Sequence, residues 1–151
     1  MVSNAPRFNE ALRMFTNWCL GTDDDVIVYA WSGTDYNQVS REMLLKGYEM
    51  TEAEEKILGC GWSDFQYEFD SQLGIEKATS LKMALEMAGI TFTGHEHDAL
   101  DDARNTALLL QVFRDKELFD ITLEKIRKAL KPVPMSCALG ELIDFSAFLS
   151  A

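Results

Sequence analysis

The sequence predicts an α/β protein, rich in helix, with few and parallel strands. Two observations carry this. Residues 26–31, VIVYAW, form a β-branched and aromatic run without polar alternation, the pattern of a strand buried on both faces. A second short apolar run, ITFTG at residues 90–94, follows only after several helical stretches. Strands separated by helices pair in parallel through crossovers. Two parallel strands alone make a poor sheet, so the pattern is that of an α/β layer with strands missing.

Taken in order, residues 6–21 place Phe8, Leu12, Phe15 and Cys19 at helical spacing, and Gly21 is a natural stop. The strand at 26–31 follows a polar TDDD turn, and SGTD then leads into a helix ending at Gly47. Thr51 and Glu54 form a capping box, which predicts a short helix to about Cys60. The aromatic segment GWSDFQYEFDSQLG receives no firm assignment. Residues 78–89 read as a helix stopped by Gly89, then come the strand at 90–94 and a helix from about Ala99 through Leu110 or beyond. FDITLEKIRKALK is a last helix, and the apolar tail MSCALGELIDFSAFLSA is ambiguous. There are no repeats and no linker, so residues 1–151 read as one domain.

The net charge of −11 argues against broad electrostatic binding of nucleic acid but leaves room for a local, metal-mediated site. The basic cluster Lys125, Arg127, Lys128 and Lys131 reads as the solvated end of a helix, where cations are favoured. No run approaches the ~18 apolar residues of a membrane span. The start, MVSNAPRFNE, lacks the apolar core of a signal peptide. Cys19, Cys60 and Cys137 have no metal-ligand spacing and read as reduced thiols in a cytoplasmic protein.

Chemistry concentrates in GHEHDALDDARNTALLL, residues 94–110. Asp102 lies in the first turn of a helix, where the dipole favours a carboxylate, and His97 lies in the turn before it. A neutral imidazole there suits proton abstraction near neutral pH. Ala99 and Ala103 are small enough for close packing against a strand. Asp35 follows the carboxyl end of VIVYAW, and sites in open α/β sheets gather beyond strand carboxyl ends. Singly, each has a plainer reading: Asp102 as a first-turn acid beside a capping Asp98 or Asp101, His97 as a turn residue, and Asp35 as a cap.

Jointly they form a pattern. Residues 80–110 resemble the third motif region of the DEDDh (DnaQ-like) 3′–5′ exonucleases: His97, Ala99, Asp102 and Ala103 match His-x-Ala-x-x-Asp-Ala, with Gly89, Gly94 and Asn105 fitting around it. VYAWSGTDYNQV resembles the second motif, with Asp35 at its metal-binding aspartate. The resemblance, from about residue 5 to 115, looks closest to the exoribonuclease-type branch. It implies the helix-rich C-terminal portion of a ribonuclease H-like fold. It also implies two-metal hydrolysis of single-stranded RNA or DNA 3′ ends with Mg²⁺ or Mn²⁺. Asp35 and Asp102 would be metal ligands and His97 the general base.

The family's first motif, Asp-x-Glu on the first strand, has no counterpart upstream, so the first three strands and two acids are expected to be missing. Asp23, Asp24 and Asp25 lie at the wrong end of the strand, and the Asp144 region has Ser146 where a glutamate is needed. An exposed edge on VIVYAW invites pairing with another chain. The implied partners are therefore nucleic acid, and a second copy or another chain that completes the sheet. The competing reading is a catalytically inactive exonuclease-like interaction module.

Overall fold

The computed structural model describes residues 4–21, 26–59 and 61–130. Its elements are helix α1 (Phe8–Leu20), strand β1 (Tyr29–Ala30), α2 (Gly33–Leu45), α3 (Glu52–Leu58), β2 (Ser63–Asp64), α4 (Phe65–Leu73), α5 (Leu81–Met87), α6 (Ala99–Arg114) and α7 (Lys116–Leu130). β1 and β2 pair in parallel, Tyr29 with Ser63 and Ala30 with Asp64. The α/β reading with parallel strands therefore holds in a helix-rich form.

Two expectations are corrected. The second strand is not ITFTG but Ser63–Asp64, inside the segment left unassigned, and α4 follows it at once. Asp64 explains the helix: its carboxylate accepts the Tyr67 N–H at 2.9 Å, an N-cap immediately before an aromatic run. Residues 90–93 form no strand, because no described neighbour offers them a ladder. Their start is set by the end of α5, where Gly89 (φ 73°) turns the chain, the Gly89 N–H bonds Glu86 and the Ile90 N–H bonds Leu85.

Other elements follow their local chemistry. The Thr51–Glu54 capping box is complete and α3 ends at Leu58. Helix α2 begins at Gly33, earlier than its apolar pattern implied, since Ser32 already has the extended backbone of an N-cap. The tail, Lys131 of the basic cluster, Cys60, Cys137, and Asp23, Asp24 and Asp25 lie outside the described residues. Among those described, no helix is long and apolar enough to cross a membrane. Cys19 is buried, and burial pushes its thiol up.

β1 stands between two cores. On one side Leu12, Cys19, Met43, Ile57 and Leu58 cluster with Val26, Val28 and Trp62 against them. On the other, Phe65, Phe69, Leu81, Ala84, Leu85 and Leu109 cluster with Tyr29 and Trp31. Val28 and Tyr29 thus point to opposite faces, as strand alternation requires. Of the strand expected at 26–31 only Tyr29 and Ala30 pair, and Ile27 lies largely exposed, so the run is covered on both faces only from Val28 onward. Phe65 is fully buried, with edge-on contacts to Tyr29, Trp31 and Phe113 at 6.3, 5.8 and 5.2 Å. Arg114 ties the far end of α6 to β1, its guanidinium donating to the Tyr29 hydroxyl at 2.6 Å.

Candidate functional site

The two strands deliver their chains in the same direction, so α2 and α4 both start at the carboxyl edge of the sheet. They are joined there: the Gly33 N–H donates to Asp64 Oδ2 at 2.9 Å. A single carboxylate therefore caps α4 and anchors the entrance to α2, whose first turn carries Asp35. Asp64 is a positioning residue that the motif reading missed, although Ser-Asp before an aromatic run is a capping signal.

The second part of the site is the turn entering α6. Asp98 caps the helix through the Leu100 and Asp101 N–H groups at 3.1 and 3.2 Å. Asp101 reaches back to the His95 N–H at 2.9 Å. A Cβ on Gly94 would stand 2.2 Å from that carboxylate, and Gly94 has φ 90°, so this position requires glycine. Asn105, wholly buried, holds the preceding segment: its carbonyl accepts the Thr93 N–H at 3.1 Å, and its amide donates to the Thr93 and Asp101 carbonyls, both at 2.8 Å. The side chain does for Thr93 what a neighbouring strand would do.

Within this frame His97 has φ 71°, the one non-glycine residue among those described with a left-handed backbone. Such a conformation costs an L-residue roughly 1–2 kcal/mol, and glycine avoids it while losing roughly 0.5–1 kcal/mol of chain entropy. His97→Gly should therefore raise stability by roughly 0.5 kcal/mol in urea unfolding, and His97→Val should lower it.

Asp35, His97 and Asp102 meet. All three line a cleft of about 550 Å³ whose other walls are apolar: Phe15, residues 28–31, Trp62, and Ala99, Ala103 and Ala107 of α6. The same three line an adjoining cleft of about 490 Å³ whose wall mixes polar groups such as Ser32, Thr34 and Gln66 with Trp31, Leu81 and Phe92. The three, together with Trp31, form the ridge between the two. Burial pushes the Asp35 carboxyl up, and the charge of Asp102 pushes it further, so the two acids sense each other across 67 positions of sequence (102 − 35). Among the described residues neither has a cationic partner.

Ala99 and Ala103 depart from expectation. They face the strand across an open cleft and are exposed rather than packed against it. Among the described residues no group of three or more His, Cys, Asp or Glu side chains is placed to hold a metal. The donor set is two carboxylates. That suits one hard divalent ion of the Mg²⁺ type, which commonly takes one or two carboxylates and fills its shell with water and phosphate oxygen. It falls short of a two-ion site.

Fold and site thus define an α/β chain with a paired-acid, single-histidine ridge at a sheet's carboxyl edge. Comparison with known proteins adds a particular likeness. The chain is 43% identical over 67 residues to ERI1 exoribonuclease 2 of Mus musculus, covering 42% of this chain and 10% of that protein. It is 45% identical over 58 residues to the Homo sapiens protein of that name, covering 38% and 8%. To the Danio rerio protein it is 48% identical over 59 residues, covering 38% and 11%. The chain spans about a tenth of the length of these curated relatives. No family model matches it, and no solved structure matches it.

Proposed function

We propose that this chain is the C-terminal portion of a DEDDh-type 3′–5′ exonuclease with a ribonuclease H-like fold, acting at single-stranded 3′ ends. The convergence of Asp35, His97 and Asp102 on one ridge carries the reading, because no local structural demand brings a residue near 35 to one near 102. The similarity to proteins named exoribonucleases favours RNA over DNA. Asp35 and Asp102 would hold Mg²⁺ or Mn²⁺, which supplies Lewis acidity at the phosphoryl group. His97 takes a proton from the attacking water at an imidazole nitrogen. The second cleft, where Lys82 pairs with Glu96 at 2.6 Å, would take the sugar-phosphate chain on one side of the ridge.

Two-metal hydrolysis needs further carboxylates, so full activity calls for acids from beyond the described residues or from another chain. One observation favours a second reading, an inactive interaction module: the apolar cleft runs along β1, which has β2 as its one strand partner among the described residues. A single experiment divides them. The chain, His97→Ala and Asp102→Asn are incubated with Mn²⁺ and 5′-labelled single-stranded RNA or DNA, while Mn²⁺ affinity is measured by calorimetry. The exonuclease reading expects shortening from the 3′ end, lost in both variants, and Mn²⁺ binding weakened at least about tenfold by Asp102→Asn. Mn²⁺ affinity equal in the parent and Asp102→Asn, with no shortening, would leave the interaction module.

A further inference from the structure

The second cleft carries a neutral acceptor held in a fixed direction. Gln66, the second residue of α4, donates its backbone N–H to the Trp31 carbonyl at 2.9 Å and its side-chain amide to the Thr79 carbonyl at 2.5 Å. It ties the end of β1 to the segment entering α5, and it lines the cleft between them. The bond to Thr79 decides which way the amide faces, since the reverse orientation would set two carbonyl oxygens against each other. That leaves Oε1 as the unengaged atom. No described residue donates to it, and it is open to solvent rather than buried without a partner.

The other polar groups of this wall are engaged differently. Lys82 pairs with Glu96 at 2.6 Å. The Ser32 and Thr34 hydroxyls bond each other, and the Ser80 hydroxyl accepts the Met83 N–H at 3.2 Å. The remaining acceptors, on Asp35, Asp102 and Glu96, are carboxylates, whose charge repels the phosphates on either side of a sugar. With its lysine paired, the cleft has little net attraction for phosphate, so hydrogen bonding decides what it reads of a nucleotide.

A carbonyl oxygen needs a donor. Between its ends the sugar-phosphate chain of DNA offers none, because phosphodiester and ring oxygens only accept. Ribose adds one at every nucleotide, the 2′-hydroxyl. We propose that Gln66 is the residue by which this cleft selects ribose: Oε1 accepts the 2′-hydroxyl of a nucleotide lying in the second cleft. The inference rests on the exonuclease reading and deepens it by naming the side chain that chooses RNA.

The probes are the 5′-monophosphates of uridine, 2′-deoxyuridine, 2′-deoxy-2′-fluorouridine and 3′-deoxyuridine, each titrated with Mg²⁺ into the isotope-labelled full chain. None has a phosphodiester bond to be cut, and all share one base, so a bond to uracil cancels. Fluorine keeps the ribose-like sugar pucker but cannot donate. Affinity is read from backbone amide shifts, and the bond itself from the Gln66 side-chain amide protons. Uridine monophosphate should bind about fivefold more tightly than the 2′-deoxy and 2′-fluoro nucleotides, and those two should leave the Gln66 amide protons unmoved. Gln66→Met, similar in length but without an acceptor, should bind all of them alike, at the parent's affinity for the 2′-fluoro nucleotide and with an unchanged circular dichroism spectrum. Should that variant unfold, the comparison of nucleotides in the parent still decides.

Equal affinity of the parent for the uridine and 2′-fluoro nucleotides would overturn the proposal, as would a preference that survives in Gln66→Met. A penalty for the 3′-deoxy nucleotide in place of the 2′-fluoro one would give Oε1 to the 3′-hydroxyl and remove the choice of RNA. No binding of any of them at millimolar concentration would overturn it too. The exonuclease reading is judged separately by Mn²⁺ and Asp102→Asn. Equal nucleotide affinities with that Mn²⁺ binding intact remove the role of Gln66 alone, whereas absence of both Mn²⁺ and nucleotide binding removes the reading and this inference with it.

Discussion

Asn105→Ala should lower stability by about 2–3 kcal/mol and detach the segment before the site from α6. The side chain makes three hydrogen bonds in a fully buried position, each worth about 1 kcal/mol net, and its removal also leaves a small void. Part of the loss is recovered because Thr93 is exposed enough for water to reach its backbone. Urea unfolding measures the total. Amide exchange gives the sharper readout, since residues 90–98 should exchange faster while α4 and α5 keep their protection. Asn105→Asp should be at least as damaging, because it replaces the donor facing the Thr93 and Asp101 carbonyls by a second acceptor. An unchanged exchange rate at Thr93 would show that something other than Asn105 holds the turn.

Glu54→Ala should cost about 3 kcal/mol, because a buried carboxylate here gathers four donors. The Thr51 N–H donates at 2.8 Å, the Tyr48 hydroxyl at 2.8 Å, the Thr51 hydroxyl at 3.1 Å and the Thr16 hydroxyl at 3.2 Å. The hydrogen bond from the Thr51 backbone, helped by those from Tyr48, Thr51 and Thr16, holds the carboxyl below its ordinary 4.5 against the opposing effect of burial. A lowered value in the folded state means that the contribution is complete above the unfolded value and fades as pH falls through the folded one. The parent should therefore lose stability below about pH 4.5, and Glu54→Gln should lose less over that range.

Tyr48 sets the opposite limb. Burial first, and then Glu54, push its phenol up to about 12 from 10.0. A raised value gives stability that is present below the unfolded value and is lost as pH rises through the folded one. Between pH 10 and 12 the parent should weaken and Tyr48→Phe should not. Stability measured by urea across both limbs checks the two residues together.

The sequence by itself determined the elements whose signals are local. Helix α1 follows from the spacing of Phe8, Leu12, Phe15 and Cys19, the start of α3 from Thr51 and Glu54, and the end of α5 from Gly89. Each rests on backbone chemistry within a few residues. The parallel character of VIVYAW was legible because Val28 and Tyr29 meet apolar cores on opposite faces, although only Tyr29 and Ala30 pair and Ile27 is exposed. The turn at His97 and the first-turn position of Asp102 were legible for the same local reason.

Only the tertiary structure decided which strand is the partner. Ser63–Asp64 is two residues long and carries no hydrophobic signature, so it exists through pairing with β1 and not through propensity. ITFTG has a strand's composition but meets the Asn105 side chain in place of a ladder, and composition cannot report the absence of a neighbour. The site divides the same way. Asp35, His97 and Asp102 were legible as chemistry, but their meeting on one ridge between two clefts depends on contacts between distant elements. Asp64 was invisible for that reason: it acts through what lies across from it in space.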